Sequence, residues 1–441
     1  MTLRFGTDGV RGPASELTDA LVVALGRAAA DVLGSTTFVI GRDTRESGSR
    51  LTDALAAGLA AGAAAPVDLG VVPTPAVARV CAARGLPGAV ISASHNQWSD
   101  NGIKFFAAGG RKLSDGLEAA LEARLDELVA SPDAAGHEVP ADAGFDASAA
   151  VGEWIDAIVA SAERLPPLHV VIDCANGAAS DVAPEILGRL GLQVDVLHAR
   201  PDGRNINDRC GSTHPEDLQR AVVASGAVLG LAFDGDADRL VAVDERGELV
   251  DGDQLIALFA SDMRSRGELA GDRVVVTVMS NLGFRLAMDD LGVDVVVTPV
   301  GDRHVLEALA RTGSSLGGEQ SGHIVFADRS TTGDGILSGV RLIDLVARAQ
   351  RPLSQLAAAA MERLPQVLRN VRVENRHDDV AELIADEIAS VERDLGPRGR
   401  VLIRPSGTEP LVRVMVEAPT EAAAEAAADN LAAAVLRVCS A

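Results

Sequence analysis

An α/β chain built from several similar modules is predicted, on three observations. Apolar strands alternate with helical patterns along most of the length. Each cluster of strands ends in a loop rich in Gly, Asp and Ser. The pattern breaks and restarts twice, and then the C-terminal end changes character. At 441 residues the chain has room for three or four domains. Apolar residues make up 47% and aromatics only 2%, so the cores are aliphatic, with much of that share alanine. A mean hydropathy of +0.17 excludes a disordered chain in spite of a formal charge of −23.

The first module opens with Leu17, Leu21 and Leu25 at helical spacing, closed by Gly34. A strand is expected at Thr37–Gly41, an alanine-rich helix after Ser47, then strands in VDLGVV and GAVISA. Residues 131–150 lose periodicity and read as an interdomain connection. The alternation restarts at LHVVIDCANGAAS, running to AVLGLAFDGDADRLVAVD. It restarts again at RVVVTVMSN, continuing through VDVVVTPVGDRHV and SSLGGEQSGHIVF. No strict repeat is visible. The last part holds an alternating strand NVRVEN, a polar helix, two strands around a Gly-containing loop in VLIRPSGTEPLVRVMVEA and a terminal alanine-rich helix. This pattern predicts a small antiparallel α+β domain.

The acidic balance and the lack of a dense Lys/Arg cluster exclude nucleic acid as a partner. A phosphate site therefore needs its own arginines. Cys81, Cys174, Cys210 and Cys439 lie far apart without metal-knuckle spacing and read as reduced thiols of a cytoplasmic protein. The N-terminus has no apolar run typical of a secretory signal, and the longest uncharged stretch, Ala54 to Val67, is too short to span a bilayer, so no membrane insertion is expected.

Four polar loops carry the candidate chemistry. ISASHN offers Ser94 as a nucleophile, with Lys104 in DNGIK ten residues on. FDGDADR sets Asp234, Asp236 and Asp238 alternately after a strand, a group of hard oxygen donors for a divalent cation such as magnesium. RPSGTEPLVR combines hydroxyls, glycine-relieved amides and two arginines suited to a phosphate dianion. GGEQSGH places Glu319 and Ser321 two apart, able to hold vicinal sugar hydroxyls; alone it is an ordinary turn. Arg11 sits on a glycine-bracketed turn, and Arg42 and Arg45 in GRDTR read as solvated charges unless the fold brings them inward.

These loops in this order resemble the α-D-phosphohexomutase superfamily, and within it the branch acting on glucosamine phosphates. FGTDGVRG, SASHN with DNGIKFF, VVIDCANGA, NINDRCGSTHPEDL, FDGDADR, VMSNLG, GGEQSGH and RPSGTEPLVRV carry the resemblance over nearly the whole chain. It implies four domains around a central cleft, three similar mixed α/β modules and a smaller C-terminal α+β domain. The corresponding segments are 1–148 with a phosphoserine, 149–248 with a metal, 249–366 gripping the sugar and 367–441 binding phosphate. By motif, Ser94 becomes the phosphoserine. Asp234, Asp236 and Asp238 hold one Mg²⁺ per chain, with a phospho-Ser94 oxygen completing its shell. Arg11, His95, Lys104 and Arg239 surround the transferred phosphoryl group. Glu319, Ser321 and His323 contact the sugar, and Arg404, Ser406, Gly407, Thr408 and Arg413 anchor the other phosphate. The implied reaction interconverts glucosamine 6-phosphate and glucosamine 1-phosphate with glucosamine 1,6-bisphosphate as bound intermediate or activator, and feeds UDP-N-acetylglucosamine synthesis. The implied state is a monomer or homodimer.

One departure stands out. The superfamily continues SHNP and an aromatic, whereas this chain has Gln97 and Trp98. Losing proline's fixed φ predicts a more mobile Ser94 loop. Three rival readings stay open on the sequence. One is a glucose or mannose phosphate as substrate. Another is a non-catalytic sugar-phosphate binder. The third uses Asp234 as the nucleophile, as in haloacid-dehalogenase phosphotransferases, although the missing threonine after Asp236 weighs against it.

Overall fold

The computed structural model describes residues 9–130, 145–373, 375, 377, 379–406 and 410–439. The chain divides into two compact units, Met1–Val278 with Val296–Ala357, and Met279–Val295 with Ala358–Ala441.

The first unit contains one strand topology repeated. β1 (Val10–Pro13), β2 (Thr37–Arg42), β3 (Ala65–Val71), β4 (Gly88–Ile91) and β5 (Asp100–Phe106) form a sheet in the order β1-β5-β4-β2-β3. β6 (His169–Asp173), β7 (Gln193–Leu197), β8 (Leu229–Phe233), β9 (Leu240–Asp244) and β10 (Leu249–Val250) form a second, in the order β10-β9-β8-β6-β7. β11 (Arg273–Thr277), β12 (Asp294–Thr298), β13 (Leu316–Gly318) and β14 (Ile324–Phe326) follow as β12-β11-β13-β14. In each sheet the chain enters a buried strand parallel to its neighbour (β4, β8, β13) and returns antiparallel (β5, β9, β14). A parallel pair needs a crossover helix, but an antiparallel return needs only a loop. That return loop is therefore a repeated structural position, and the Ser94, triple-aspartate and Glu319 motifs occupy it in turn.

Local signals explain the helices. Asp19–Leu33 starts where Thr18 accepts from the Leu21 amide and ends at Gly34, whose φ of 63° is left-handed. Leu17 is buried but precedes the helix instead of opening it. The expected 131–150 connection lies outside the described residues up to 144. Its end is corrected, because Asp146 caps a helix at Ala147–Val159. The apolar stripe of that helix (Ala150, Trp154, Ile155, Ile158) begins only past an Ala/Ser run, which hides its period. All four cysteines are buried free thiols, and none of the described helices is long and apolar enough to cross a membrane.

In the second unit β15 (Gln366–Arg372), β16 (Arg400–Pro405) and β17 (Leu411–Glu417) make the antiparallel sheet β15-β17-β16 that the alternating pattern predicts. The terminal helix Glu421–Cys439 closes its core with Ala424, Leu431 and Val435 on Val412, Val414 and Val416. Met279–Val295, which runs from the end of β11 into β12, groups with this unit. Asn281 exchanges hydrogen bonds with the Leu364 backbone at 3.0 Å in both directions. The buried Glu417 carboxylate accepts from the Leu282 amide, Gln366 Nε2 and Arg400 Nη2, each at 3.0 Å. Replacing Glu417 by Leu strands these donors. It is expected to destabilise the second unit by about 3 kcal/mol, seen as a urea transition at lower concentration in segment-resolved hydrogen exchange, with Glu417→Gln milder.

Candidate active site

Asp234, Asp236 and Asp238 leave β8 as it ends, so burial of the strand carries the carboxylates inside with it. They are 0%, 0% and 5% exposed, and one oxygen from each lies within 4.8 Å of the others. Burial, followed by the charges of Asp238 and Asp236, pushes the Asp234 carboxyl well above its ordinary range. Burial acts on Asp236 in the same direction, but Lys104, the Thr74 hydroxyl and Arg11 outweigh it and hold that carboxyl low. Lys104 Nζ, brought in by β5, stands 3.1 Å from Asp236 and 3.5 Å from Asp238.

Lys104 and, at 3.8 Å from Asp238, Arg239 offset part of this negative charge. Among the described residues Asp236 Oδ1 and Asp238 Oδ1 are buried without a hydrogen-bond partner. These are oxygen donors suited to a hard divalent cation. A second group, Asp173, His198 and Cys210, is also close enough to share an ion. Its Asp173, however, already accepts from Ala175 and Gly211 amides and pairs with His198, so it is satisfied as a hydrogen-bonded network.

Ser94 faces the acidic group. Its Oγ donates to Asp234 Oδ2 at 2.6 Å and lies 3.3 Å from His95 Nδ1. The residue is 2% exposed and has a φ of 51°, the left-handed region that non-glycine residues rarely enter. Such a backbone persists only where neighbours over-determine it. Here they are the Ser92 hydroxyl accepting from the Ser94 amide, and two side chains sequence reading did not assign. Arg45 donates to the carbonyls of Ser94 (2.9 Å), Asn96 (2.8 Å), Asp100 (3.0 Å) and Gln97. Asn207 donates to those of Ser94 (2.8 Å) and Asn96 (2.9 Å).

Arg45 thus corrects the reading of GRDTR as solvated. It is 3% exposed and fixed by the buried Asp43 at 2.9 Å, while Arg42 stays nearer the surface beside Asp68. The expectation of a looser loop at Gln97 meets these same carbonyl contacts, which do not depend on proline.

Arg11, His95, Lys104 and Arg239 converge on this point. Burial, then Arg239 and Arg11, depress the His95 imidazole to about 4, so it is neutral near pH 7. Arg239 resists the effect of its own burial through Asp238, Asp234 and Glu319, and its Nε is 3.8 Å from Asp238. The β13–β14 return loop adjoins directly. Leu240 donates its amide to the Gly322 carbonyl at 2.9 Å, and a Cβ at Gly322 would lie 2.1 Å from the Leu240 oxygen. Glu319 accepts from the Gly301 amide, Ser321 is exposed, and the buried His323 accepts from Gly333 at Nε2. Thr74 completes the missed residues; its hydroxyl donates to Asp236 at 2.7 Å. A lone threonine at a helix start gives no sequence signal for that contact. Asn207 lies in NINDRCGSTHPEDL, where nothing in the sequence points to its partner.

In the second unit Arg404 and Arg413 stand directly opposite across β16 and β17. Burial and then Arg413 lower the Arg404 guanidinium. Like charges opposite each other in a sheet are unfavourable, and among the described residues neither has a carboxylate partner, so the pair is primed for an anion. Ser406 is buried beside them, while Gly407 and Thr408 lie outside the described residues.

Known proteins fit this arrangement. Models of the phosphoglucomutase/phosphomannomutase family match in chain order: α/β/α domain I over residues 2–130, domain II over 152–247, domain III over 251–364 and the C-terminal domain over 368–434. The chain belongs to that family of phosphohexose mutases. Within it the similarity runs to phosphoglucosamine mutases. That of Desulforudis audaxviator is 52% identical, covering 95% of this chain and 94% of its own. Among solved structures, a phosphoglucomutase/phosphomannomutase family protein from Burkholderia thailandensis superposes with a TM-score of 0.81 at 27% identity, over 97% of this chain and 96% of that one. The N-acetylphosphoglucosamine mutase of Aspergillus fumigatus, solved with GlcNAc-6P and magnesium, shares the fold at a TM-score of 0.69 and 21% identity, over 99% and 96% of the two chains.

If the aspartates hold a divalent cation, adding magnesium at about 100 times its dissociation constant raises the stability of the protein by about 2.7 kcal/mol. Asp236→Asn and Asp238→Asn are expected to remove that shift, measured by thermal denaturation with and without a chelator.

Proposed function

We propose that this chain interconverts glucosamine 6-phosphate and glucosamine 1-phosphate by way of a phosphorylated Ser94. The carrying observation is the hydrogen bond from Ser94 Oγ to a buried three-carboxylate group, in a chain about half identical to phosphoglucosamine mutases. Asp234, Asp236 and Asp238, with an oxygen of phospho-Ser94, are the ligands of one Mg²⁺. When bound, that ion supplies charge neutralisation at the phosphoryl oxygens.

The remaining chemistry belongs to side chains. The sugar hydroxyl attacks phosphorus, the bond from phosphorus to the Ser94 oxygen breaks, and glucosamine 1,6-bisphosphate forms. His95, 3.3 Å from Ser94 Oγ, and Lys104 flank the reacting oxygens, where the proton of the attacking hydroxyl is taken up and one is returned to the serine oxygen. Arg11, Lys104 and Arg239 spread positive charge around the transferred group, the dominant contribution in phosphoryl transfer. The bisphosphate then reverses, and its other phosphate restores phospho-Ser94. Glu319 and Ser321 hold the sugar hydroxyls in both orientations, with His323 supporting their loop. Arg404, Ser406, Gly407, Thr408 and Arg413 hold the phosphate that does not react. The four segments 1–148, 149–248, 249–366 and 367–441 serve these tasks in turn. We assign the activity to the cytoplasm, where the reduced cysteines belong, and the working state to a monomer or homodimer.

Turnover of glucosamine, glucose and mannose 6-phosphates should favour the first, and Ser94→Ala should lower kcat at least 10³-fold while abolishing acid-stable phosphate in intact-mass spectra. An acyl phosphate on Asp234, or full activity without Ser94, would refute the reading. In the unphosphorylated protein, an NMR titration of His95 is expected to inflect at about 4, the imidazole becoming cationic only below that pH.

A further inference from the structure

Gln97 leaves the Ser94 loop without proline, yet a second hold acts on its outer side. The Trp98 ring lies under the Arg204 guanidinium, whose Cζ is 5.1 Å from the ring centroid. Arg204 is oriented at the same time by Glu46, to which Nε and Nη2 donate at 2.9 and 2.8 Å in the forked geometry that suits a carboxylate. Glu46 is itself tied down, its amide donating to the Gly203 carbonyl at 2.8 Å, and the Arg204 amide donates to Asp202 Oδ1 at 2.8 Å.

Two loops therefore hold the Ser94 loop from two sides. From the turn after β2, Arg45 reaches inward to the backbone carbonyls while its neighbour Glu46 reaches outward to Arg204. From the loop after β7, Asn207 grips the carbonyls of Ser94 and Asn96 while Arg204, three residues earlier, covers Trp98.

We propose that Trp98, gripped through Arg204 and Glu46, is a positioning residue that fixes the Ser94 loop on the loop after β7. The stack does between side chains what a proline at position 97 does within the backbone. The assignment rests on Ser94 being the phosphoryl carrier. It matters for catalysis because a reacting oxygen displaced by about 1 Å can cost up to 10²-fold in rate. A surface cation–π contact is weaker than that limit and corresponds to roughly two- to fivefold. The Gln97 amide donates no hydrogen bond among the described residues, so proline there would remove none.

The test uses the full chain. Trp98→Ala is expected to lower kcat about fivefold with KM within about twofold of wild type. Trp98→Phe should recover at least half of that loss, and so should adding Gln97→Pro to Trp98→Ala. An unchanged kcat in Trp98→Ala, or a loss that neither change recovers, overturns the proposal. Should the wild-type protein turn over no hexosamine phosphate, the functional reading fails and amide hydrogen exchange decides the clamp by itself. Faster exchange across residues 95–100 in Trp98→Ala then supports it, and unchanged exchange overturns it.

Discussion

Three carboxylates carried inside by the end of a buried strand are the constraint around which the first unit is organised. Ionised groups in a low-dielectric interior repel strongly and must be compensated. Lys104 supplies part of that compensation, and Arg239 and Arg11 supply more from a distance. The surrounding backbone is fitted tightly to the cluster. Thr74 donates its amide to the Asp236 carbonyl, Gly335 donates to Ala237, and a Cβ on Gly235 would come within 2.7 Å of the Ser94 oxygen. The same crowding of carboxylates that makes the cluster costly when bare makes it a receptor for a cation and, next to it, for a phosphoryl group.

Much of this was legible in the sequence, for a physical reason. Strand endings rich in Asp, Ser and Gly are visible because those residues cannot continue a buried strand, and the return-loop position places each such ending where a ligand can reach it. Ser94 and the aspartates are legible this way, Lys104 by its place ten residues after Ser94, and the structure brings them together. The small antiparallel domain was legible from alternation alone. Arg45 was misread because its burial depends on Asp43 and on carbonyls that come close only in the folded loop. Thr74 and Asn207 act through contacts more than 100 residues apart in the chain, which neither periodicity nor spacing can reveal.

The Ser94 loop illustrates how a local substitution is absorbed. Sequence logic treats proline as the source of rigidity, and its absence as mobility. In the fold, rigidity is distributed among a buried guanidinium, an amide and a stacked ring, so removing one restraint leaves the others in force. Holding a residue in a left-handed conformation by outside contacts also explains why its side chain is small and unbranched. A threonine could carry the same phosphoryl group, but its β-branch is poorly accommodated at that φ.

The second unit has a consequence for how the protein is made. Its Asn281 side chain and Leu282 amide bond to Leu364 and Glu417, partners that are not translated until after residues 296–357. On the ribosome, those polar groups emerge well before their partners and stay hydrated until β17 is made. The earlier sheets can close as they appear. Folding of the second unit is thus tied to completion of the chain, and a polypeptide truncated before β17 would lack Glu417 and with it the acceptor of the Leu282 amide.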